Sequence, residues 1–339
     1  MARTRPLPVI DAHHHLLARP RPAFAEIMDG IERFLVDDLE AAADPALNLV
    51  ATVVVEGHSM YRRDGAVAFR PVGETEFLNG QAAMAASGLY GRCHAAAAIV
   101  AKADLTLGDV VDDLLDAHLA AAPCRLRGIR QGAAWDPDPS IVGHLFKGGP
   151  RLYLSDAFQA GAKRLAARGL SLDAFVLSPQ IGEVIALARA VPDLRIILCH
   201  AGIPVGIGRF EGRQEEHFFA WREAMRGLAQ CENVAVKLGG LGCFINGFDS
   251  YRARPRATPE ALSADWAPHM HETIALFGAD RCMLESNYPV DAGSGDYNTI
   301  WRAHQITVSG YSQDERAALF AGTAARLYRL DLDALCAAG

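Results

Sequence analysis

The sequence lacks the features of membrane and secreted proteins. In its 339 residues no window approaches the ~18 consecutive apolar residues of a membrane span. Arg3 and Arg5 are not followed by the ~7–15-residue apolar region of a signal peptide before the acidic Asp11, which argues against such a peptide. The seven cysteines are scattered, odd in number and without a C-x-x-C pair, as is typical of reduced thiols. We therefore expect a cytoplasmic protein without a membrane partner.

Positive charge is also scarce. Lysine and arginine number 33 against 40 acidic residues, so the formal net charge is −7. This balance disfavours nucleic acids and anionic membranes as partners. The basic cluster of Arg252, Arg254 and Arg256 is too short and too interrupted to form a binding tract. A small-molecule substrate is the expected partner.

Low-complexity tracts and close repeats are absent, and apolar β-rich runs alternate with amphipathic helical patterns. The predicted strands span 7–10, 49–55, 92–100, 125–130, 171–176, 195–199, 233–238 and 281–285. The predicted helices include 107–121, 179–190, 218–229, 262–277, 299–308 and 312–328, the last opened by a capping box of Ser312 and Glu315. Eight β-then-α units predict an α/β fold, a single (β/α)8 TIM barrel over residues 1–339. A doubly wound sheet is disfavoured because no G-x-G-x-x-G follows the first strand.

Two long loops interrupt the alternation, residues 57–74 after strand 2 and 132–151 after strand 4. Both would lie on the C-terminal face of the barrel, where the active sites of such folds are found. Long irregular loops in compact domains are usually lids or binding loops. We therefore predict that His58, Tyr61 and Arg62 of the first loop contact the substrate.

The run Asp11-Ala12-His13-His14-His15 follows the first predicted strand. Because alternate residues of a strand share a face, Asp11, His13 and His15 are expected to point one way and His14 the other. Two imidazoles two residues apart at a strand end make half of a metal site or of a proton-transfer site.

Other polar residues end the predicted strands, namely Glu56, Arg130, His200 and Lys237. Glu56 could act directly or orient a histidine, and Arg130 could clamp a substrate anion or pair within the protein. His200 leaves a buried strand as the chain turns, and a core histidine is the alternative interpretation. Lys237 could pair structurally. Cys199 would point to the face opposite His200, which argues against a nucleophilic thiol.

The motifs Asp11-x-His13-x-His15, His200-Ala-Gly and Ser286-Asn287-Tyr288-Pro289 together resemble the amidohydrolase superfamily. More narrowly, the chain is similar to its amidohydrolase-2 branch of TIM-barrel metal-dependent hydrolases, which includes lactonases of pyrone dicarboxylates and sugars. The resemblance spans almost the whole chain and implies a hydrolase, with the ends of the barrel strands as its active site. It also allows a homodimer, although the sequence marks no interface.

The chain departs from that family at two positions. Asn287 stands where the family usually has an aspartate, and strand five ends in Val176-Leu177-Ser178-Pro179 without the histidine of metal-binding members. A binuclear centre is therefore not expected. The resemblance implies at most one divalent ion, Zn²⁺ first, held by His13, His15 and His200 with a carboxylate from Glu56, Glu285 or Asp291. The alternative is a metal-free site in which the imidazoles polarise the carbonyl.

The acid that replaces the missing aspartate is predicted to be Asp291, with Asn287 orienting the substrate or holding a water molecule. Glu285 and Glu56 are the other candidates. The predicted reaction is the hydrolysis of a cyclic ester in a small carboxylated substrate, whose anion Arg130 would bind. A metal-dependent decarboxylase or hydratase and a non-catalytic ligand-binding barrel are the alternatives.

Overall fold

The structure is a computed structural model that describes residues 6–20, 22–143 and 148–337. Eight parallel strands form one sheet in which each strand pairs with the next along the chain. They are β1 Val9–His14, β2 Leu49–Val55, β3 His94–Lys102, β4 Leu126–Arg130, β5 Ser171–Ala174, β6 Ile196–Leu198, β7 Val234–Leu238 and β8 Cys282–Leu284. The predicted TIM barrel is confirmed.

The first and last strands meet through backbone hydrogen bonds just beyond their ends. The amide of Asn287 donates to the His13 carbonyl at 2.8 Å, and the amide of His15 donates to the Tyr288 carbonyl at 2.8 Å. The Asp11 carboxylate accepts from the Ser286 amide at 2.9 Å and from its hydroxyl at 2.6 Å. These contacts close the barrel at the histidine run.

Helices connect the strands and cover the outside of the barrel. The longer ones are Val72–Ala86, Val110–Ala121, Asp156–Ala167, Ile181–Ala190, Gln214–Ala229, Pro259–Phe277 and Tyr297–Thr307. Shorter ones are Pro22–Ile27, Val36–Ala42, Pro139–Val142, Gln313–Ala317, Thr323–Tyr328 and Leu332–Ala337. The Ser312–Glu315 capping box is confirmed, but a wider π-type turn at Ala318–Gly322 divides the helix predicted over 312–328.

Alternation along the strands divides the core into two layers. Val54, Ile99 and Leu172 belong to the layer between strands and helices. Val53 and Val100 belong to the barrel interior and pack with residues 321–328 near the end of the chain. Most side chains of this interior layer are apolar, and the polar residues that follow the strands lie at their C-terminal ends, where a site can form.

Additional segments surround the C-terminal face. The chain after β1 forms an antiparallel ribbon of Leu17–Ala18 with Arg33–Phe34, which encloses the helix Pro22–Ile27 and was not predicted. The loop after β2 contains the short 3-10 turn Val67–Phe69 and ends in the helix Val72–Ala86. Among the residues that the structure describes, no helix has the length and apolar character that crossing a bilayer demands.

Candidate active site

Three histidines predicted to form the site lie together at the C-terminal end of the barrel. The ring centroids of His13 and His15 are 4.9 Å apart, and those of His13 and His200 are 4.6 Å apart. His14 points away and contacts Thr52 Oγ1 at 2.7 Å, as alternation predicts. Asp11 does not join His13 and His15, contrary to expectation: the pairing with β2 shifts register between Asp11 and His14, and the Asp11 carboxylate binds Ser286 and Tyr297 instead.

Glu285 links two of these histidines. Its Oε1 lies 2.7 Å from Nδ1 of His200, and its Oε2 lies 3.0 Å from Nδ1 of His13. The Glu285 side chain is fully buried, and in the described part of the chain its Oε2 has no hydrogen-bond partner. Among the described residues, the carboxylate has imidazole nitrogens alone within hydrogen-bond distance, and a buried carboxylate so placed needs either a proton or a cation beside it.

The protonated nitrogens follow from the acceptors around the rings. Nδ1 of His15 lies 2.9 Å from the Val55 carbonyl oxygen, so this nitrogen donates and Nε2 of a neutral His15 is an acceptor. Burial, together with the charge of Arg130, holds the pKa of His15 well below its usual value. Nε2 of His13 lies 3.3 Å from Nε2 of His15, and as a direct hydrogen bond this contact requires His13 Nε2 to donate. His13 Nδ1 then offers a lone pair toward Glu285.

These donors fit one divalent ion. His13, His200 and Glu285 each offer a ligand atom, and the three atoms lie within 4.8 Å of one another. His13 Nδ1, whose lone pair has only a long 3.4 Å contact with Lys237 Nζ, lies 3.0 Å from the unpartnered Oε2 of Glu285. A divalent ion between these two acceptors would satisfy both. Burial, with the charge of Lys237 next, lowers the pKa of His13 well below its usual value, so the ring is neutral and able to bind a metal.

Backbone strain accompanies these side chains. His200 has a φ of 56° and Asn287 a φ of 50°, both in the left-handed region that non-glycine residues seldom adopt. Gly240, at φ +64°, passes so close to His200 that a Cβ there would collide with the imidazole ring. The Gly-Gly after β7 therefore makes room for the histidine.

Arg130 is occupied within the protein. Its Nε donates to Glu56 Oε1 at 2.7 Å and its Nη2 donates to the Glu56 carbonyl oxygen. Burial would raise the pKa of Glu56, but the charges of His58 and Arg130 outweigh it and hold that pKa well below its usual value. Arg130 also lines the cavity, so its role as an anion clamp stays a prediction, and its Nη1 lies 3.4 Å from His13 Nε2.

A buried ion pair lies on the other side of His13. Lys237 Nζ donates to Asp173 Oδ2 at 2.7 Å, and the Tyr328 hydroxyl donates to the same oxygen at 3.0 Å. Lys237 Nζ is also 3.4 Å from His13 Nδ1. Asp173 was not predicted as a site residue. Its position as a carboxylate inside the apolar run of β5 could have indicated it.

Asp291 does not reach the cavity as the predicted base. Its Oδ1 accepts from Asn287 Nδ2 at 2.7 Å and its Oδ2 accepts from the Gly242 amide at 2.9 Å. Burial raises the pKa of Asp291 to about 8, so it is mostly protonated at neutral pH. Asp291 positions Asn287, which lines the cavity and whose Oδ1 has no hydrogen-bond partner within the described ranges.

A cavity of about 980 Å³ opens beside this cluster. His15, His200, Glu56, His58 and Tyr61 line it. Arg62, in contrast, is not part of the lining and pairs with Glu76, so its predicted contact with substrate has no support in the geometry.

Lys102, at the end of β3, lines the cavity and was missed from the sequence because it ends a strand that carries no motif. Burial lowers its pKa, although Glu56 opposes that shift. No other described residue forms a hydrogen bond with its ammonium group.

Comparison with known proteins identifies the family. A family model described as amidohydrolase matches residues 10–330. The chain belongs to the amidohydrolase family. The predicted resemblance is confirmed, and the protein is an enzyme of this superfamily. An L-fucono-1,5-lactonase from Burkholderia ambifaria is 33% identical over 247 residues, which cover 69% of this chain and 71% of the relative.

Two further relatives cover nearly the whole chain. An uncharacterised protein, y4mH, from Sinorhizobium fredii is 34% identical over 335 residues, 95% of this chain and 98% of the relative. The crystal structure of an amidohydrolase from Burkholderia multivorans with bound Zn has a TM-score of 0.71 and 25% identity, covering 96% of this chain and 100% of that one. These relatives support both the amidohydrolase barrel and the assignment to lactonase-like hydrolases.

Proposed function

We propose that this protein is a metal-dependent lactonase that opens a cyclic ester by adding water to its carbonyl carbon. The observation that carries the proposal is the contact of Glu285 with both His13 and His200, 3.0 and 2.7 Å from their Nδ1 atoms, beside a cavity. The relation to an L-fucono-1,5-lactonase and to a zinc-containing amidohydrolase supports the reaction class and the metal.

His13, His200 and Glu285 would hold the ion, and Zn²⁺ suits their nitrogen and oxygen donors. When bound, such an ion polarises an ester carbonyl and lowers the pKa of water to about 7, so that no strongly basic side chain is needed. The replacement of an aspartate by Asn287 is compatible with this chemistry. In this assignment His15 is not the third ligand but accepts a hydrogen bond from His13 and fixes its ring.

The other side chains position substrate and water. Asn287 Oδ1, held by the bond from Nδ2 to Asp291, accepts a hydrogen bond from the attacking water. Arg130, fixed by Glu56, supplies positive charge near His13, where negative charge develops on the carbonyl oxygen. Lys102 takes over the predicted role of Arg130 and binds a carboxylate of the substrate. His58 and Tyr61, whose Nδ1 and hydroxyl lie 3.0 Å apart, contact the substrate from the loop after β2.

The test is a screen of lactones and of aromatic carboxylates, with ring opening followed by proton release and decarboxylation by CO₂ release. The purified protein is assayed with its metal, after chelation and after Zn²⁺ is restored. Ring opening that disappears on chelation and returns with Zn²⁺ is expected. Metal-dependent CO₂ release without ring opening would instead assign a decarboxylase.

The carboxylate contact is tested with Lys102→Gln and with Arg62→Gln as its control. Lys102→Gln is expected to raise KM for a carboxylated lactone about tenfold and to leave KM for a neutral lactone unchanged. The control removes a cation that pairs with Glu76 outside the cavity and should change neither value.

A further inference from the structure

The cavity is large and mostly apolar beyond its catalytic end. Its volume of about 980 Å³ lies at the upper end of the ~300–1,000 Å³ range of sites that enclose drug-sized ligands. Leu17, Phe24, Ile27 and Met28 line it from the segment after β1, which the sequence did not mark as part of the site. A small lactone ring beside the histidines would leave most of this space without a partner.

Two further loops contribute to the same apolar lining. Val67 and Ala68 come from the loop after β2, and Phe244 and Ile245 come from the loop after β7. Val67 is 74% exposed, although it is aliphatic. Together with the four residues after β1, these side chains form the apolar chamber. Covering an apolar surface of this kind with an apolar group is favourable, because both surfaces are removed from water.

Away from the catalytic end, polar groups of the lining bond one another, whereas Lys102, Asn287 Oδ1 and Glu56 Oε2 near the histidines keep atoms without a hydrogen bond among the described residues. Asp104 Oδ1 accepts from the Thr106 amide at 3.0 Å and from Gln131 Nε2 at 3.0 Å. Gln131 Oε1 accepts from the Leu105 amide at 2.7 Å, and Arg130 binds Glu56. The several hydroxyls of a sugar lactone would each need a partner when buried. Asp104, Gln131 and Arg130 would have to give up bonds of their own to serve them, and the apolar chamber offers no hydrogen-bonding side chain.

We infer that the substrate is a lactone that carries a large apolar substituent, alkyl or aryl, which the apolar chamber encloses while the ring carbonyl lies at the His13–His200–Glu285 cluster. This inference rests on the proposed function and narrows its substrate class. The chemistry distinguishes the protein from enzymes that open polyhydroxylated sugar lactones, because its chamber offers dispersion and hydrophobic contacts instead of hydrogen bonds.

The test uses δ-lactones that differ only in their substituent: unsubstituted δ-valerolactone, its butyl and hexyl derivatives, and polyhydroxylated glucono-1,5-lactone. Each buried methylene contributes up to about fourfold, so the hexyl compound is expected to exceed valerolactone in kcat/KM by roughly 100-fold when the chain is partly enclosed. The polyhydroxylated lactone is expected to be the poorest substrate. Rapid opening of the polyhydroxylated lactone with no gain along the alkyl series would overturn the inference and leave the lactonase proposal intact.

Binding is measured separately with the corresponding δ-lactams, which are not hydrolysed under these conditions. Calorimetry should show affinity rising with chain length and little affinity for the unsubstituted lactam. If no lactone is opened but the hexyl lactam binds tightly, the proposed lactonase reaction is contradicted. The inference that the apolar chamber binds an alkyl substituent is then supported. If the alkyl lactams bind no better than the unsubstituted one, the inference fails whatever the reaction.

A matched pair of variants locates the substituent. Ala68→Phe fills part of the apolar chamber and should lower the ratio of hexyl to unsubstituted kcat/KM at least tenfold. Ala66→Phe makes the same change two residues away at an exposed position that does not line the cavity, and the ratio should be preserved. Equal ratios in the two variants would place the substituent elsewhere and contradict the assignment.

Discussion

Asn287 Nδ2 donates a hydrogen bond of 2.7 Å to Asp291 Oδ1, so its amide oxygen is the atom left for water or substrate. This contact holds Asn287 with its amide oxygen free to accept a hydrogen bond. The carboxyl group that holds it is that of Asp291, whose pKa burial raises to about 8. The orientation of the amide depends on this contact.

Asn287→Asp should therefore not improve the enzyme. It would place two carboxyl groups at hydrogen-bond distance in a buried site, where they must share a proton. We expect kcat/KM to fall about tenfold or more, and the exchanged pair Asn287→Asp with Asp291→Asn to recover part of it. Steady-state kinetics on the three variants checks this. A single variant faster than the wild type would show that a base is missing at position 287.

Glu285→Gln should reduce metal binding. A neutral amide cannot balance the charge of a divalent ion, and losing even a residue that only orients a ligand costs about 10–100-fold in metal affinity or activity. Elemental analysis after dialysis against a weak chelator measures the ion per chain. His14→Gln is the control, because His14 is equally buried but bonds Thr52 outside the cluster. Full metal content in Glu285→Gln would remove Glu285 from the ligand set.

Arg130→Gln should destabilise the fold more than it alters substrate affinity. Glu56 is only 2% exposed and forms an ion pair with Arg130. Without the guanidinium, the buried carboxylate of Glu56 loses this partner. Breaking one side of a buried pair costs about 3–5 kcal/mol of unfolding free energy. Denaturant unfolding measures the loss, and adding Glu56→Gln should restore part of it. Unchanged stability with a large increase in KM would support the anion clamp instead.

Glu74 should make stability depend on pH. Its Oε1 accepts from the amides of Gly57 and Ser59, and burial, with the charge of Glu56 next, raises its pKa from 4.5 to about 8. Between these pH values the unfolded chain loses the proton and the folded chain keeps it. The contribution of Glu74 to stability is therefore greatest below pH 4.5 and is lost as pH rises through about 8.

Glu74→Gln keeps an acceptor for the two amides and cannot ionise. Relative to the wild type, its free energy of unfolding should rise between about pH 4.5 and 8 and level off above that. Urea unfolding across this range measures the difference. A difference that does not change with pH would mean that Glu74 is ionised in the folded protein.

The barrel was predictable from sequence because its signals are local. The apolar run 49–55 coincides with β2, and the Ser312–Glu315 capping box opens a helix as expected. His13, His15 and His200 were predictable for the same reason, since each follows an apolar run at the end of a strand.

Partners that depend on tertiary contact were not predictable. Asp291 is close to Asn287 in sequence, but only the fold shows that Gly242 occupies its second oxygen. Arg130 ends a strand as an anion clamp would, yet Glu56, 74 residues away, already binds it. The apolar side chains at positions 17–28 carry no pattern that points to a cavity, because that role depends on how the segment folds over the barrel.

The closure of β1 against β8 has a consequence for how activity arises. His13 and Asn287 lie far apart in the chain, yet the backbone amide of Asn287 donates a hydrogen bond to the carbonyl oxygen of His13. During synthesis the histidine run emerges first and Glu285 near the end, so the cluster cannot assemble on a partial chain. Recovery of catalysis during refolding should therefore lag behind the formation of helices and report the final joining of the barrel.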